Sequence, residues 1–432
     1  METKSKPEPR QEPDHHHHHP AKKTKINHPM EEEEQHPSAS TSNQDQESSS
    51  ESITFPDFPH EILVEILSRL PVKSLVKFKC VSKSWLSLTS NPHFIKAHLR
   101  ISANKDDFRH HGLIFTVLPP NSHSHLKQCS LRSALNVEMS IIQVIDIDYP
   151  MKSPHKSVWV VGSCDGLVCI AIEENDLFLW NPAIRKYKKL PDLAIRLKHG
   201  CYIIFGFGYD MLNDDYKVVA IFCVFRGGND YETEVRVYSL KHDSWMRIDN
   251  FKGGVPLDDS GKYANGKLHW AASRGFDSNH SWKIVSLDLG NESYGEVERP
   301  EYGDGVYDWT FGVLGGCLTV LCDYEWTRVD VWVMKEYGVR DSWSKVVSVP
   351  YLDDPEKSRY SFPVCLLKNG EILLVLGSGL VLYNPQSNTF KYRQINGVEE
   401  VNMYAESLVS PLFIEENSCV IMSKAAEIRG ES

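Results

Sequence analysis

The residues that come closest to a chemical site in this sequence are one histidine and one group of carboxylates. His269 stands beside Trp270 in an apolar segment, where a histidine is more often a hydrogen-bonded core residue than a general base. Asp210, Asp214 and Asp215 could offer oxygen ligands to calcium. Their order lacks the EF-hand pattern and suits a turn. We therefore expect neither group to be catalytic or to bind a metal.

The cysteines and the catalytic motifs lead to the same expectation. Cys164 and Cys169, like Cys317 and Cys322, are five residues apart, so on a strand their thiols point to opposite faces and do not form a zinc site. His15–His19 is a histidine tract without fixed geometry, and we expect it to be solvated. Neither Gly-x-Ser-x-Gly nor His-Glu-x-x-His occurs, and we expect no phosphate-binding Gly-x-x-x-x-Gly-Lys loop and no zinc-type cysteine cluster. We expect no enzyme activity, no cofactor and no metal.

One stretch, residues 55–92, instead has the pattern of three short linked helices. Apolar residues recur on one side of the first segment, which Pro71 ends. The second runs from Leu75 to Val81, and the third from Lys83 to Thr89 with Ser82 as its cap. A unit of about forty residues is marginal alone. Its helices can cover only one of two apolar faces by packing together, which indicates a docking module completed by another protein.

This stretch resembles an F-box, the domain that binds the Skp-type adaptor of cullin-based SCF ubiquitin ligases. The resemblance rests on Pro-x-Glu-Ile-x-x-Glu-Ile-Leu-x-Arg-Leu-Pro-x-Lys-Ser-Leu from Pro59 to Leu75, followed by Val-Ser-Lys-x-Trp from Val81 to Trp85. Phe58 replaces the usual leucine before the first proline. The resemblance implies that the following residues divide between the core of the module and an adaptor-binding face: Pro59, Ile62, Leu63, Ile66, Leu67, Leu70, Pro71, Leu75, Phe78, Val81 and Trp85.

Charge and composition divide the chain unevenly. Of a net charge of −11, residues 1–51 carry −5, residues 52–100 carry +4 and the remainder −10. We expect the first 52 residues to be a disordered low-complexity tail. An acidic body disfavours nucleic acid as a partner. No apolar run is long enough to span a bilayer, and no secretory signal is present, so we expect a soluble cytoplasmic or nuclear protein with reduced thiols.

The body of the chain, residues 101–420, contains a repeated β-hairpin. Short apolar runs are bounded by turns, and a strand, a polar turn and an aromatic residue recur five times. The aromatic residues are separated by 58, 49, 49 and 47 residues, and they are Tyr187, Trp245, Tyr294, Trp343 and Phe390. Weaker strands at 113–117 and 141–147 add a sixth unit. This period predicts an all-β propeller of about six kelch-like blades, with a two-sheet sandwich as the alternative.

The body also resembles the F-box-associated interaction domain of plant F-box proteins. The matching segments are Ser-Cys-Asp-Gly-Leu at 163–167, Leu-Trp-Asn-Pro-Ala at 179–183, Phe-Gly-Phe-Gly-Tyr-Asp at 205–210 and Tyr-x-Asn-Gly-x-Leu-His-Trp at 263–270. The expected organisation is therefore multidomain: a tail over 1–52, a small all-α three-helix F-box over 53–100, the propeller domain over 101–420 and a short tail over 421–432.

These resemblances imply a substrate-recognition subunit of an SCF ubiquitin ligase. The F-box would bind the Skp-type adaptor, and through it the cullin and RING subunits. The propeller would bind a target protein for ubiquitination and proteasomal degradation. A non-degradative adaptor-binding scaffold or decoy, and a propeller enzyme that carries the helices, are the alternatives. The target, its pathway, the residues that bind it and the propeller face that holds it are not specified by the sequence.

Overall fold

The structure is a computed structural model that describes residues 59–412, with gaps at 104–107, 121, 137–141, 174–175, 194–200, 228–229, 258–259, 274–281, 326, 352–359, 378 and 396. The predicted tails at 1–52 and 421–432 and the His15–His19 tract lie outside the described residues.

Four helices form the beginning of the described chain, and residues 59–103 are called the helical module below. They are α1 His60–Ser68, α2 Val72–Phe78, α3 Lys83–Ser90 and α4 Pro92–Ser102. The three predicted helices are present, although α2 lies three residues earlier than the predicted 75–81, so that Val81 is outside it, and α4 adds a fourth. Asn91 and Pro92, which we expected to end the third helix, also begin the fourth, because proline suits the first helical position and the Asn91 carboxamide caps it. No helix in the described part of the chain is long and apolar enough to cross a bilayer.

The remaining elements are almost entirely strands, apart from a short helix α5 Leu131–Leu135 and a 3₁₀ turn at Arg340–Ser342. The strands are β1 His111–Val117, β2 His125–Ser130, β3 Ile145–Asp146, β4 Val158–Cys164, β5 Leu167–Ile172, β6 Asp176–Asn181, β7 Lys186–Lys189, β8 Cys201–Asp210, β9 Asp215–Gly227, β10 Asp230–Ser239, β11 Ser244–Ile248, β12 Val255–Pro256, β13 Lys262–Ala264, β14 Lys267–Ser273, β15 Trp282–Asp288, β16 Tyr294–Val297, β17 Asp308–Leu314, β18 Cys317–Tyr324, β19 Arg328–Met334, β20 Trp343–Pro350, β21 Tyr360–Leu366, β22 Ile372–Leu376, β23 Gly379–Asn384, β24 Thr389–Gln394 and β25 Val398–Ala405.

The described strands form six antiparallel sheets, which confirms the predicted blade number. Five sheets use consecutive strands: β4–β7, β8–β11, β12–β16, β17–β20 and β21–β24. The remaining sheet has the order β25-β1-β2-β3, so it combines the two ends of the domain. It is called the first blade, and the other five are numbered second to sixth in chain order. β1 and β25 pair from His111 opposite Ala405 to Val117 opposite Val398. Pairing of the first strand with the last closes the ring and leaves no free edge between the ends.

Six hydrophobic clusters join each sheet to its two neighbours. For example, Phe207 and Leu179 lie in a cluster between the second and third sheets, and Trp270 lies in the next cluster around the ring. Other clusters continue around the ring to the sheet that contains β25. Since every pair of adjacent sheets shares a buried cluster, the sheets form a closed propeller. A sandwich would have a single core between two sheets.

The repeated hairpin is the pairing between the third and fourth strands of a blade. Its register places Trp180 opposite Tyr187 and Tyr383 opposite Phe390, as the spacing predicts. The fourth repeat differs, because Trp343 pairs with Met334, whereas Trp332 pairs with Lys345. A register shift in β19 and the longer 335–342 connection change the spacing there.

Tight turns and glycines allow the inner strands to reverse direction and to pack closely around the centre of the propeller. Asp165 and Gly166 both have positive φ, as the predicted hairpin turn requires. A side chain at Gly206 would meet the indole of Trp270 in the neighbouring sheet, so glycine allows the blades to approach. A central cavity of about 810 Å³ is lined by residues of β4, β8, β13, β17, β21 and β25, one strand from each sheet.

His269 is a buried structural residue of this ring. It is fully buried, with Nδ1 3.1 Å from the Lys262 carbonyl oxygen and Nε2 2.8 Å from the Tyr337 hydroxyl. The neutral ring satisfies both contacts when Nδ1–H donates and Nε2 accepts. Burial lowers the pKa of His269 to about 4. In the unfolded chain His269 is protonated near its ordinary pKa of 6.5, whereas in the folded protein it stays neutral to lower pH. Acidification therefore favours the unfolded chain.

We predict that His269 makes the propeller lose stability between about pH 6.5 and pH 4. One pKa unit corresponds to about 1.4 kcal/mol, so the loss from this residue is about 2–3 kcal/mol over that interval. His269→Gln should lower stability at pH 7 but flatten the pH dependence, since glutamine does not titrate. Urea unfolding of the unsubstituted protein and the variant at several pH values gives the slope of the unfolding free energy against pH for each. Equal slopes would contradict this role.

Candidate functional site

The inner side of the helical module is a small hydrophobic core. Leu67, Val72, Leu75 and Phe94 are buried, and the rings of Phe78 and Trp85 meet edge to face at 5.1 Å; these two rings border the core. Caps fix the helix ends around it. The Ser82 hydroxyl accepts from the Trp85 amide at 3.2 Å, and the Asn91 carboxamide oxygen accepts from the His93 amide at 2.8 Å.

The C-terminal segment of the propeller completes this core. Leu408, only 2% exposed, lies in the same cluster as Leu67 and Leu75. Ala183 and Ile184, from the turn between β6 and β7, pack against it as well. The propeller therefore supplies part of the apolar surface that the short helices lack.

Buried hydrogen bonds hold this segment in place. The Asn181 side-chain amide donates to the carbonyl oxygens of Ser407 (3.0 Å) and Val409 (2.8 Å). The Ser407 hydroxyl donates to the Asp165 carbonyl oxygen at 2.6 Å. Since Asn181 is fully buried, loss of these contacts would leave polar groups unsatisfied. Leu408, between Ser407 and Val409, is thus presented to the module by a fixed backbone.

Polar contacts add to the attachment. Lys96 of α4 forms an ion pair with Asp214 at 2.9 Å, and the Tyr209 hydroxyl also donates to Asp214. The hydrogen bond from Tyr209 and the contact with Lys96 lower the pKa of Asp214. Within the module, His98 is fully buried and its Nε2 lies 2.9 Å from the Leu70 carbonyl oxygen. Burial lowers the pKa of His98, which favours the neutral ring that joins α4 to the end of α1.

The surface of the module exposes several large apolar side chains. Ile62 is 47% exposed and Ile66 is 50% exposed. Since they are four residues apart on α1, they lie on one helix face. Val81, in the turn between α2 and α3, is 64% exposed, and Leu86 of α3 is 46% exposed. Isolated apolar residues on a surface are ordinary, but a helix that presents two isoleucines on one face has the form of a docking surface.

The predicted adaptor-binding residues therefore occupy three environments. Leu67 and Leu75 are buried in the module core. Leu63 is half-buried, and three further half-buried residues border that core: Leu70, Phe78 and Trp85. The exposed residues of the predicted set are Pro59, Ile62, Ile66, Pro71 and Val81. The wide apolar stripe of α1 is thus split between an inward and an outward face.

The carboxylates that could have suggested calcium organise turns. Asp210 Oδ1 accepts from the Leu212 amide at 2.9 Å, and Asp210 Oδ2 pairs with Lys217 at 3.0 Å. Asp215 accepts from the Ser239 hydroxyl at 2.5 Å and from the Lys241 amide at 2.9 Å. Asp210 and Asp215 are buried, and their carboxylate oxygens accept hydrogen bonds from groups of the propeller.

One glycine pattern has the spacing of a phosphate-binding loop but not its structure. Gly261–Lys267 fits Gly-x-x-x-x-Gly-Lys, yet Leu268 stands where such loops have serine or threonine. The segment is the hairpin between β13 and β14. A phosphate-binding loop joins a strand to a helix, so this hairpin lacks the required helix N-terminus.

Comparison with known proteins identifies the family. Residues 55–97 match the F-box domain, and residues 112–421 match the F-box associated beta propeller domain. The chain belongs to the F-box proteins with an F-box-associated propeller. An F-box/kelch-repeat protein of Arabidopsis thaliana is 36% identical, over 82% of this chain and 96% of that protein. F-box protein CPR1 of the same plant is 32% identical, over 82% of this chain and 88% of that protein.

Family membership indicates which kind of protein the helical module binds. The module is the F-box, and an F-box implies an Skp-type adaptor as its partner. The propeller contact through Leu408 could not be found from the F-box pattern, because Leu408 is more than 300 residues away in sequence. The fourth helix had a local signal, the Asn-Pro pair at 91–92.

We predict that Leu408→Ala loosens the F-box without unfolding the propeller. Removing a buried leucine side chain typically costs about 2–4 kcal/mol. Amides of α1 and α2 should then exchange hydrogen roughly 30-fold faster or more, since local opening becomes less costly. Hydrogen exchange with mass spectrometry measures this effect. Leu412→Ala is the matched control, because Leu412 is 44% exposed in the same segment. Equal exchange in the two variants would contradict the packing role of Leu408.

Proposed function

We propose that this chain is the substrate-recognition subunit of an SCF ubiquitin ligase. Its F-box binds the Skp-type adaptor, which connects it to the cullin and RING subunits, and its propeller binds a target protein for ubiquitination and proteasomal degradation. The observation that carries the proposal is the outward pair Ile62 and Ile66 on an F-box whose inner side is already covered by Leu408. Covering that outward pair would remove apolar surface from water, which is the main driving force of such association.

The attachment of the F-box to the propeller suits this role. Ubiquitin transfer between a charged enzyme and a bound target depends on their proximity, since holding two reactants together raises their effective concentration. A flexible tether would lower that concentration by sampling many orientations. The contacts of Leu408 and of the Lys96–Asp214 pair limit such motion. In this mechanism the chain positions the target and takes no part in the transfer chemistry.

We predict that Ile62→Ala and Ile66→Ala each weaken adaptor binding strongly while the fold is kept. A central apolar anchor contributes about 2–4 kcal/mol, so each change should raise the dissociation constant roughly 30-fold or more. Titration calorimetry with the purified full chain and a plant Skp-type adaptor measures it. Leu212→Ala is the control, because Leu212 is 77% exposed on a propeller turn.

Because the substituted isoleucines are exposed, these variants separate an effect on adaptor binding from an effect on folding. Ile62 and Ile66 lie at the surface, so their truncation should leave the melting temperature nearly unchanged, whereas substitution of buried Leu67 would alter folding and binding together. Adaptor affinity equal to that of the unsubstituted protein in both isoleucine variants would reject the proposed docking face.

For the target, we favour the propeller face away from the F-box. The F-box contacts Ile184 and Asp214, which lie in turns between the first and second or the third and fourth strands of their blades. Antiparallel strand order places the other connections at the opposite face. These include the longer segments 147–157 and 298–307. Long loops on a rigid scaffold are the usual location of binding residues.

An aromatic group stands on this distal face, between the fourth and fifth sheets. Trp309 stacks on Trp282 with ring centroids 3.8 Å apart, and the Arg299 guanidinium lies 5.7 Å from the Trp282 ring. Tyr307, at the start of this group, is 51% exposed. Large aromatic side chains on a rigid base are frequent anchors in protein interfaces. Tyr307 is therefore our candidate contact for the target.

We predict that Tyr307→Ala reduces labelling of target proteins while adaptor binding is kept, because an anchoring ring is lost. Proximity labelling with the full chain, compared with an adaptor-binding-deficient Ile66→Ala form, gives the set of adaptor-dependent targets, and reconstituted ubiquitin transfer tests whether they are modified. Tyr392→Ala is the control, since Tyr392 is also 51% exposed but lies on the outer strand β24. A labelling pattern identical for the two tyrosine variants would exclude Tyr307 as a contact. Targets that bind without being ubiquitinated would favour a scaffold over a degradative receptor.

A further inference from the structure

A group of cations lies where the F-box meets the second blade. Ala183 and Ile184 pack on the hydrophobic cluster that Phe78 and Trp85 border. The next two residues, Arg185 and Lys186, are exposed at the start of β7. The turn thus places two propeller cations next to the F-box.

The F-box has three more cations next in sequence, or nearly so, to Phe78 and Trp85 of that cluster. Lys77 and Lys79 flank Phe78 at the end of α2, and Lys83 begins α3. Burial and the positive charge of Lys186 lower the pKa of Lys79, which is consistent with two ammonium groups close together. The junction patch is defined as Lys77, Lys79, Lys83, Arg185 and Lys186.

The junction patch has no acidic partner within the described residues. The other two lysines of β7 do have acidic partners: Lys188 pairs with Asp243 at 2.8 Å, and Lys189 pairs with Asp176 at 2.6 Å. The whole chain carries a net charge of −11, so an unpaired cationic patch stands out from the rest of its surface. Like charges in proximity repel, and an anionic surface that covers them relieves this repulsion.

The position of the patch indicates which partner supplies that surface. Val81, an exposed member of the predicted adaptor-binding set, lies between Lys79 and Lys83 in the turn from α2 to α3. A protein that covers Val81 therefore also approaches the lysines on both sides of it. Arg185 and Lys186 extend the same cationic surface onto the propeller.

We propose that Arg185 and Lys186 extend the adaptor interface onto the propeller, where the junction patch receives an acidic segment of the adaptor. This inference rests on the proposed function. Charges at the edge of an interface mainly accelerate association and fix orientation. The second blade would thus take part in adaptor capture as well as in the ring.

Association kinetics test this proposal. The full chain, its Arg185→Glu/Lys186→Glu variant and an Arg247→Glu control are mixed with a purified plant Skp-type adaptor in stopped-flow experiments. Arg247 is exposed on β11, the outer strand of the next sheet, and makes only a 3.9 Å pair with Glu234. The double variant should associate roughly 10-fold more slowly at about 0.05 M salt, and the difference should shrink at about 0.5 M salt because salt screens exposed charges. Dissociation rates and the control should change little.

The outcomes separate the two proposals. If the unsubstituted protein fails to bind the adaptor, the proposed function itself is wrong. If it binds and the double variant associates at the same rate, the junction patch is not part of the interface. Faster association by the double variant would also overturn the inference, and would assign the patch to an acidic segment of this chain such as Glu31–Glu34.

Discussion

The packing of Leu408 into the F-box is the interaction on which the rest of this structure depends. Four short helices cannot bury both of their apolar sides, since a unit of this size is marginal by itself. The propeller covers the inner side with Leu408, Ala183 and Ile184. Ile62 and Ile66 remain outside. The same packing therefore stabilises the module and determines which of its faces is left for a partner.

Ring closure and F-box attachment are parts of one arrangement. β25 pairs with β1 and so completes the first blade. The Glu406 amide, directly after β25, donates to the His110 carbonyl oxygen, directly before β1, at 2.6 Å. The chain that leaves the ring thus runs beside the chain that enters it from the F-box. Two residues later Leu408 reaches the module core. A defect in the last strand should consequently affect both the propeller and the F-box.

Helices and blades could be predicted from the sequence where their patterns involve residues close together in the chain. Helix stripes and proline stops located α1 to α3, and the aromatic hairpins located the blades, because each depends on residues close together in the chain. The split of the α1 stripe into Leu67 inside and Ile62 outside depends on Leu408, which no local pattern connects to α1. The junction patch is similar, since Arg185 and Lys186 come near the F-box only through the packing of Ala183 and Ile184 on its hydrophobic cluster. The pairing of Trp343 with Met334 required the strand register, which a β-bulge can shift by one residue.

Hydrogen exchange of the full chain with and without a plant Skp-type adaptor tests the outward face of the F-box most directly. Adaptor docking on Ile62 and Ile66 predicts slower exchange in α1 and in the turn around Val81, with the strands of the distal propeller face unchanged. Protection confined to the propeller, with α1 exchanging as in the free protein, would contradict it.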